Sequence, residues 1–137
     1  VESPPRLACR TDHFTKRLPW RNTLIIDLLR PETIRTEDGI VELRFEVRQE
    51  FTNRAGAVQG GIVAAMLDMA MAFADERRLS TASMHFEILR PVQGPKVSVT
   101  GRITKRGRRI VFAEAEMHDD EGKLLARGNQ TAVPLAE

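Results

Sequence analysis

Residues 60–74, GGIVAAMLDMAMAFA, decide the fold, and Asp68 is the only charged side chain within them. The run is too short to cross a membrane, for which a helix needs about 20 apolar residues. It stays apolar almost all round until Asp75, as is typical of a helix enclosed by other structure. An ionised carboxylate in such surroundings is costly unless it is compensated. We therefore predict a central helix over residues 60–77. The lone acid of its apolar part, Asp68, is either held by a neighbouring loop or arginine, or serves chemistry.

The glycine pair Gly60 and Gly61 opens this predicted helix. Glycines let another group approach the backbone closely, and the first N–H groups of a helix have no partner within it. These donors and the helix dipole suit a developing negative charge such as an oxyanion. Gly61 and Asp68 lie about 10 Å apart along one helix axis, too far to touch the same carbonyl group. If they cooperate, two helices must supply them, which predicts a dimer with two shared sites.

Alternation of apolar and polar residues predicts strands on both sides of the helix. Residues 23–29 are apolar, and their periodicity does not distinguish a strand from a helix. One strand before the helix and four after it indicate an α+β fold, with an antiparallel sheet wrapped around the helix. The predicted strands are residues 40–47, 81–88, 96–105, 108–117 and 123–133.

The length of 137 residues corresponds to one domain. We predict an N-terminal arm over residues 1–20, which contains three prolines, and a single domain over residues 21–137. The net charge of +2, the absence of tyrosine and 5% aromatic content argue against nucleic acid as a partner. No apolar run is long enough for a membrane span. A single cysteine, Cys9, fits a reducing compartment, so the cytoplasm is the expected location.

The loop before the helix carries a family resemblance. Residues 51–61, FTNRAGAVQGG, followed by Asp68, resemble the signature of hotdog-fold acyl-CoA thioesterases of the phenylacetate-degradation type. That pattern runs Asn-x-x-Gly-x-x-His-Gly-Gly, with an acid later in the helix, and the likeness extends over about residues 20–133. It implies a hotdog fold and hydrolysis of an acyl-CoA to a free acid and CoA. The resemblance suggests an aromatic acyl group, and the methionine-rich helix is equally compatible with a medium-chain one. The resemblance also implies no metal or other cofactor, and a homodimer or a dimer-of-dimers tetramer.

The resemblance assigns roles to individual residues. The backbone N–H of Gly61 polarises the thioester carbonyl, and Asp68 of the partner subunit acts as general base or nucleophile. Asn53 orients the carbonyl or the attacking water, although an asparagine here is also a good turn residue. Gly60 and Gln59 line the substrate site. Gln59 replaces the usual histidine and cannot titrate; we interpret that position as one that pins the loop.

Two further groups are candidates for substrate binding. Thr81 falls where some members place a hydroxyl that holds the water, but strand alternation predicts that it faces away from Met84 and Phe86. The predicted turn between two late strands carries Arg106, Arg108 and Arg109, which either contact the phosphates of CoA or form a solvated hairpin tip. The remaining alternatives are a non-catalytic acyl-CoA binding domain and a hotdog hydratase or dehydratase. The latter needs a histidine that is absent near the glycine pair and on the helix. No zinc-type spacing is present.

Overall fold

The computed structural model describes residues 24–136, so the predicted arm over residues 1–20 lies outside the described part. The undecided segment 23–29 contains a short helix. The elements are α1 (Ile25–Leu29), β1 (Glu32–Glu37), β2 (Ile40–Glu46), a 3-10 turn (Gln49–Phe51), α2 (Gly60–Phe73), β3 (Leu79–Ile88), β4 (Lys96–Arg106), β5 (Val111–Asp119) and β6 (Leu124–Pro134).

The six strands form one sheet in the order β1-β2-β4-β5-β6-β3, and all neighbouring strands are antiparallel. α2 packs across one face of the sheet and buries its own apolar side chains there, including Val63, Met66, Leu67 and Met71. The predicted α+β architecture, with a sheet around one long helix, is confirmed. β1 was missed because all six of its residues are exposed, so its sequence shows no alternation.

The central helix is shorter than predicted: α2 ends at Phe73, not at residue 77. The side chain of Asp75 explains the difference. Its Oδ1 accepts the backbone N–H of Arg77 at 2.8 Å, and the Arg77 guanidinium donates to the same carboxylate. Side-chain bonds of this kind offer the backbone an alternative to the helical pattern. The charged residues after Ala74 therefore form a turn that leads into β3.

α2 approaches the sheet closely at Gly101 in β4. A Cβ atom at this position would lie 2.1 Å from the backbone oxygen of Ala70 and 2.8 Å from the backbone nitrogen of Met71. α2 can therefore rest directly on β4 only because residue 101 has no side chain. This contact sets the height of the helix above the sheet, and with it the position of Asp68.

Candidate active site

Asp68 lies half-buried on α2, beside the edge strand β3. Its Oδ1 accepts a hydrogen bond of 2.7 Å from the hydroxyl of Thr81. No side chain of residues 24–136 donates a hydrogen bond to Oδ2 or forms an ion pair with this carboxylate. Within the described residues, no arginine forms an ion pair with Asp68, so the alternative of an Asp68–arginine pair finds no support there. One carboxylate oxygen is held by Thr81, and the other has no side-chain donor among residues 24–136.

A β-bulge brings Thr81 to the helix side of the sheet. In the pairing of β3 with β6, Thr81 lies opposite Ala132 and Ser83 lies opposite Thr131, so Ala82 is an extra residue. A bulge shifts the alternation by one position. The prediction that Thr81 faces away from Met84 was wrong for this reason. The bulge is what allows the Thr81 hydroxyl to reach Asp68.

Gln130 on β6 completes this cluster, and the sequence reasoning missed it. Its side chain is buried, with 3% of the residue exposed. Its Oε1 lies 3.2 Å from Thr81 Oγ1. The available signal was a polar residue at an inward position of β6, between the small residues Gly128 and Ala132. Asp68, Thr81 and Gln130 thus form a connected polar group on the helix-facing side of the sheet.

Gly60 and Gly61 form the first turn of α2, with Gln59 at the N-cap. The Gln59 side chain makes no capping bond, although its carbonyl accepts the N–H groups of Ile62 and Val63. A Cβ at Gly61 would meet nothing within 4 Å in the described chain. At Gly60 it would lie 3.6 Å from Ile88. Gly61 lies in the first turn of α2, so its N–H has no partner within the helix and is the type of donor that an oxyanion site uses.

Asn53 organises the loop that leads to this helix end. Its Oδ1 accepts the backbone N–H groups of Ala55 at 2.9 Å and Ala57 at 3.3 Å, and its own N–H donates to Ala57. Gly56 supports the same turn with a φ of 82°. The carboxamide oxygen is thus occupied by the loop. The geometry supports the turn interpretation of Asn53 directly and leaves only its amide nitrogen for a substrate.

The three candidate arginines separate into two groups. Arg106 forms ion pairs with Asp38 at 3.1 Å and Asp75 at 3.3 Å, so it braces the hairpin. The hydrogen bond from Arg77, with the Coulombic effect of Arg77 and Arg106, holds the pKa of the buried Asp75 carboxyl below its usual value despite desolvation.

Arg108 and Arg109 are exposed at the hairpin tip. Neither pairs with an acid in residues 24–136.

The described residues contain no group of three or more His, Cys, Asp or Glu side chains placed to hold a metal ion. None of the helices in residues 24–136 combines the length and apolar character that a membrane crossing requires.

The fold is shared with proteins of known structure. The PaaI protein of the Escherichia coli phenylacetic acid degradation operon superposes with a TM-score of 0.78 at 16% identity, over 85% of this chain and 88% of that one. The BH2602 protein of Bacillus halodurans, solved with CoA, superposes with a TM-score of 0.75 at 25% identity, over 84% and 80% of the two chains. The architecture is therefore the hotdog fold.

Residues 47–133 match the family model described as the acyl-CoA thioesterase N-terminal domain. Mouse acyl-coenzyme A thioesterase 13 is 29% identical over 93 residues, which cover 63% of this chain and 66% of the mouse protein. The chain belongs to the acyl-CoA thioesterase family, and its enzyme class is that of an acyl-CoA thioesterase.

Proposed function

We propose that this enzyme hydrolyses an aromatic or medium-chain acyl-CoA at two equivalent sites, each built from Asp68 of one subunit and Gly61 of the other. The observation that carries the proposal is the state of Asp68. The carboxylate is half-buried, has Oδ1 fixed by Thr81, and has no described side-chain donor on Oδ2. A carboxylate held in this way can take a proton from a water molecule in a defined direction.

In the proposed reaction, the oxygen of a water molecule attacks the thioester carbonyl carbon while Asp68 Oδ2 takes its proton. The negative charge moves to the carbonyl oxygen, where the Gly61 N–H and the helix dipole stabilise it. The carbon–sulfur bond then breaks, and the sulfur leaves as CoA thiolate, which takes the proton held by Asp68 and so restores the carboxylate. The products are a free acid and CoA. Attack by Asp68 itself through an anhydride is the alternative.

The open edge of β3 supports the dimer on which this site depends. β3 is ten residues long and has β6 as its only strand neighbour within residues 24–136. Its end carries the exposed side chains of Ile88 and Leu89. An uncovered edge of this length is a template for pairing with another chain. Pairing of two β3 edges would cover it and bring a second α2 towards Asp68; a dimer of dimers is equally compatible.

The acyl group is proposed to lie beside the glycine end of α2. The apolar side chains there are Ile88, next to Gly60, and the partly buried Ile62 and Ala65. Met66 and Met71 are fully buried in the core, so they do not form the wall of this site. The side chains of Ile62, Ala65 and Ile88 are apolar, which suits an uncharged acyl chain or ring.

The function is tested by measuring free-thiol release from a panel of aromatic and aliphatic acyl-CoAs. We expect turnover with at least one class and little with short polar acyl groups, because the proposed wall is apolar. Binding of acyl-CoA without turnover across the whole panel would contradict hydrolysis and identify a binding domain instead. Gln59, which stands where the family pattern has histidine, would then be the first residue to examine.

The hairpin tip is proposed to contact the phosphates of CoA through Arg108 and Arg109, while Arg106 braces the turn. Arginines without an acidic partner are suited to phosphate oxygens. The double substitution to alanine should raise KM for acyl-CoA by about tenfold, as expected for losing two exposed phosphate contacts. KM for the same acyl group on pantetheine, which lacks the nucleotide, should not change. Equal effects on both substrates would contradict the phosphate contact.

A further inference from the structure

Gln130 is the one buried side chain near Asp68 whose polar atoms are not all paired. Its Nε2 has no hydrogen-bond partner, and it is the only such buried side-chain atom found in residues 24–136. A buried donor left unpaired costs about 1–3 kcal/mol. A polar side chain that is 3% exposed and paired across the sheet with Met84 and Ala113 therefore requires an explanation.

The Thr81 hydroxyl faces two acceptors but has one proton. It lies 2.7 Å from Asp68 Oδ1 and 3.2 Å from Gln130 Oε1. The shorter bond to the carboxylate is the stronger of the two, because its acceptor is charged. If the hydroxyl donates to Asp68, then Gln130 Oε1 and Thr81 Oγ1 are two acceptors facing each other without a proton between them.

Rotating the carboxamide by half a turn removes this conflict. The rotation exchanges oxygen and nitrogen without changing the shape of the side chain. Nε2 then stands in the position 3.2 Å from Thr81 Oγ1 and can donate to it. The carbonyl oxygen takes the unpaired position, which is tolerated better than an orphaned N–H group.

We propose that Gln130 is a positioning residue: its Nε2 donates to Thr81 Oγ1 and thereby directs the single hydroxyl proton of Thr81 onto Asp68 Oδ1. The chain of donors runs from β6 through the bulge of β3 to α2. It occupies Oδ1 permanently and leaves Oδ2 as the atom that takes the proton from water. This catalytic consequence rests on the proposed role of Asp68 as general base.

The hydrogen bond itself is tested without any substrate, by NMR of the Gln130 side-chain amide. Gln130→Met identifies the resonances by their disappearance. We expect one Nε2 proton to exchange slowly with solvent and to shift when Thr81→Val removes its acceptor. Thr81→Ser keeps the hydroxyl and should keep the shift. An amide pair that is unaffected by Thr81→Val would overturn the proposal.

The positioning role is tested by a double-mutant cycle in the thiol-release assay. Gln130→Met should lower kcat by about tenfold with little change in KM, because a misdirected base costs rate and not binding. In a Thr81→Val background the same substitution should have no further effect, and in a Thr81→Ser background the effect should return. If Gln130 had only a structural role, the losses in kcat from the Gln130 and Thr81 substitutions would add, and this result would contradict the inference.

Thermal unfolding of each variant identifies any loss that comes from misfolding, and Gln130→Leu replaces Gln130→Met if the latter does not fold. The NMR shift and thiol release by the wild-type enzyme then separate this inference from the proposed function. If the wild-type enzyme releases no thiol while the NMR shift is present, the hydrolytic proposal and the positioning role fail, and the hydrogen bond stands. If wild type turns over and the cycle is additive, the positioning role alone fails.

Discussion

Asp68→Asn is expected to reduce kcat by about 100-fold to 10,000-fold, the range by which a positioned general base accelerates a reaction. Asparagine has the same shape and can still accept the hydrogen bond that Thr81 now donates at 2.7 Å. It cannot take a proton from water. The substitution therefore removes the base while leaving its surroundings in place. Steady-state thiol release gives kcat, and calorimetric titration with the best acyl-CoA of the panel checks that binding is retained.

Gly61→Pro tests the proposed oxyanion donor, as Asp68→Asn tests the proposed base. Proline in the first turn removes the N–H group, and it is tolerated there because that N–H has no helical partner. The preceding residue, Gly60, has no Cβ to clash with the ring. Gly61→Ala is the matched comparison, since it keeps the N–H and its Cβ meets no described residue of the same chain within 4 Å. Gly61→Pro should lose about 100-fold in kcat, the typical effect of one oxyanion donor, and alanine much less.

Combining an Asp68→Asn subunit with a Gly61→Pro subunit distinguishes a site shared between two chains from a site made within one chain. In a heterodimer of Asp68→Asn and Gly61→Pro, one site contains both intact residues and the other contains neither. Co-expression of equal amounts should therefore restore about a quarter of wild-type activity, as two-fold symmetry requires. No recovery in purified heterodimers would contradict the shared site. Full activity of Asp68→Asn alone would show that the base is assigned to the wrong residue.

Gly101→Ala is expected to destabilise the protein by about 3 kcal/mol, at the upper end of the usual cost of overpacking a core. The new Cβ would lie 2.1 Å from the Ala70 carbonyl oxygen and 2.4 Å from its carbonyl carbon. Both are backbone atoms of α2, so no side chain can rotate away. Either the helix lifts from β4 or the strand bends, and both separate core side chains that are now in contact.

Urea unfolding followed by circular dichroism measures this effect. Gly61→Ala is a suitable stability control, because it adds the same methyl group where no residue in the described part of the chain lies within 4 Å. We expect that control to change the free energy of unfolding by less than about 1 kcal/mol, in the stabilising direction expected of alanine in a helix. Similar midpoints for the two variants would show that α2 does not rest on residue 101.

Local patterns in the sequence were sufficient for most of the fold. The apolar run of α2 and the alternation in β2, β4, β5 and β6 each depend on which face is buried, and burial leaves a period that can be read along the chain. The sequence of β1 shows no such period, since both faces of this strand are exposed. The end of α2 also escaped prediction, because it depends on the Asp75–Arg77 contact and on Arg106, which lies 31 residues further along the chain.

The sequence by itself determined the glycine pair, the lone acid on the helix and the family to which they point, because these are matters of residue type and spacing. Only the tertiary structure decided which groups meet Asp68. Alternation predicted that Thr81 faces away, and a single bulged residue, Ala82, turned it inward. Gln130 lies 49 residues from Thr81 along the chain. Their contact follows from the pairing of β3 with β6, which no local pattern encodes.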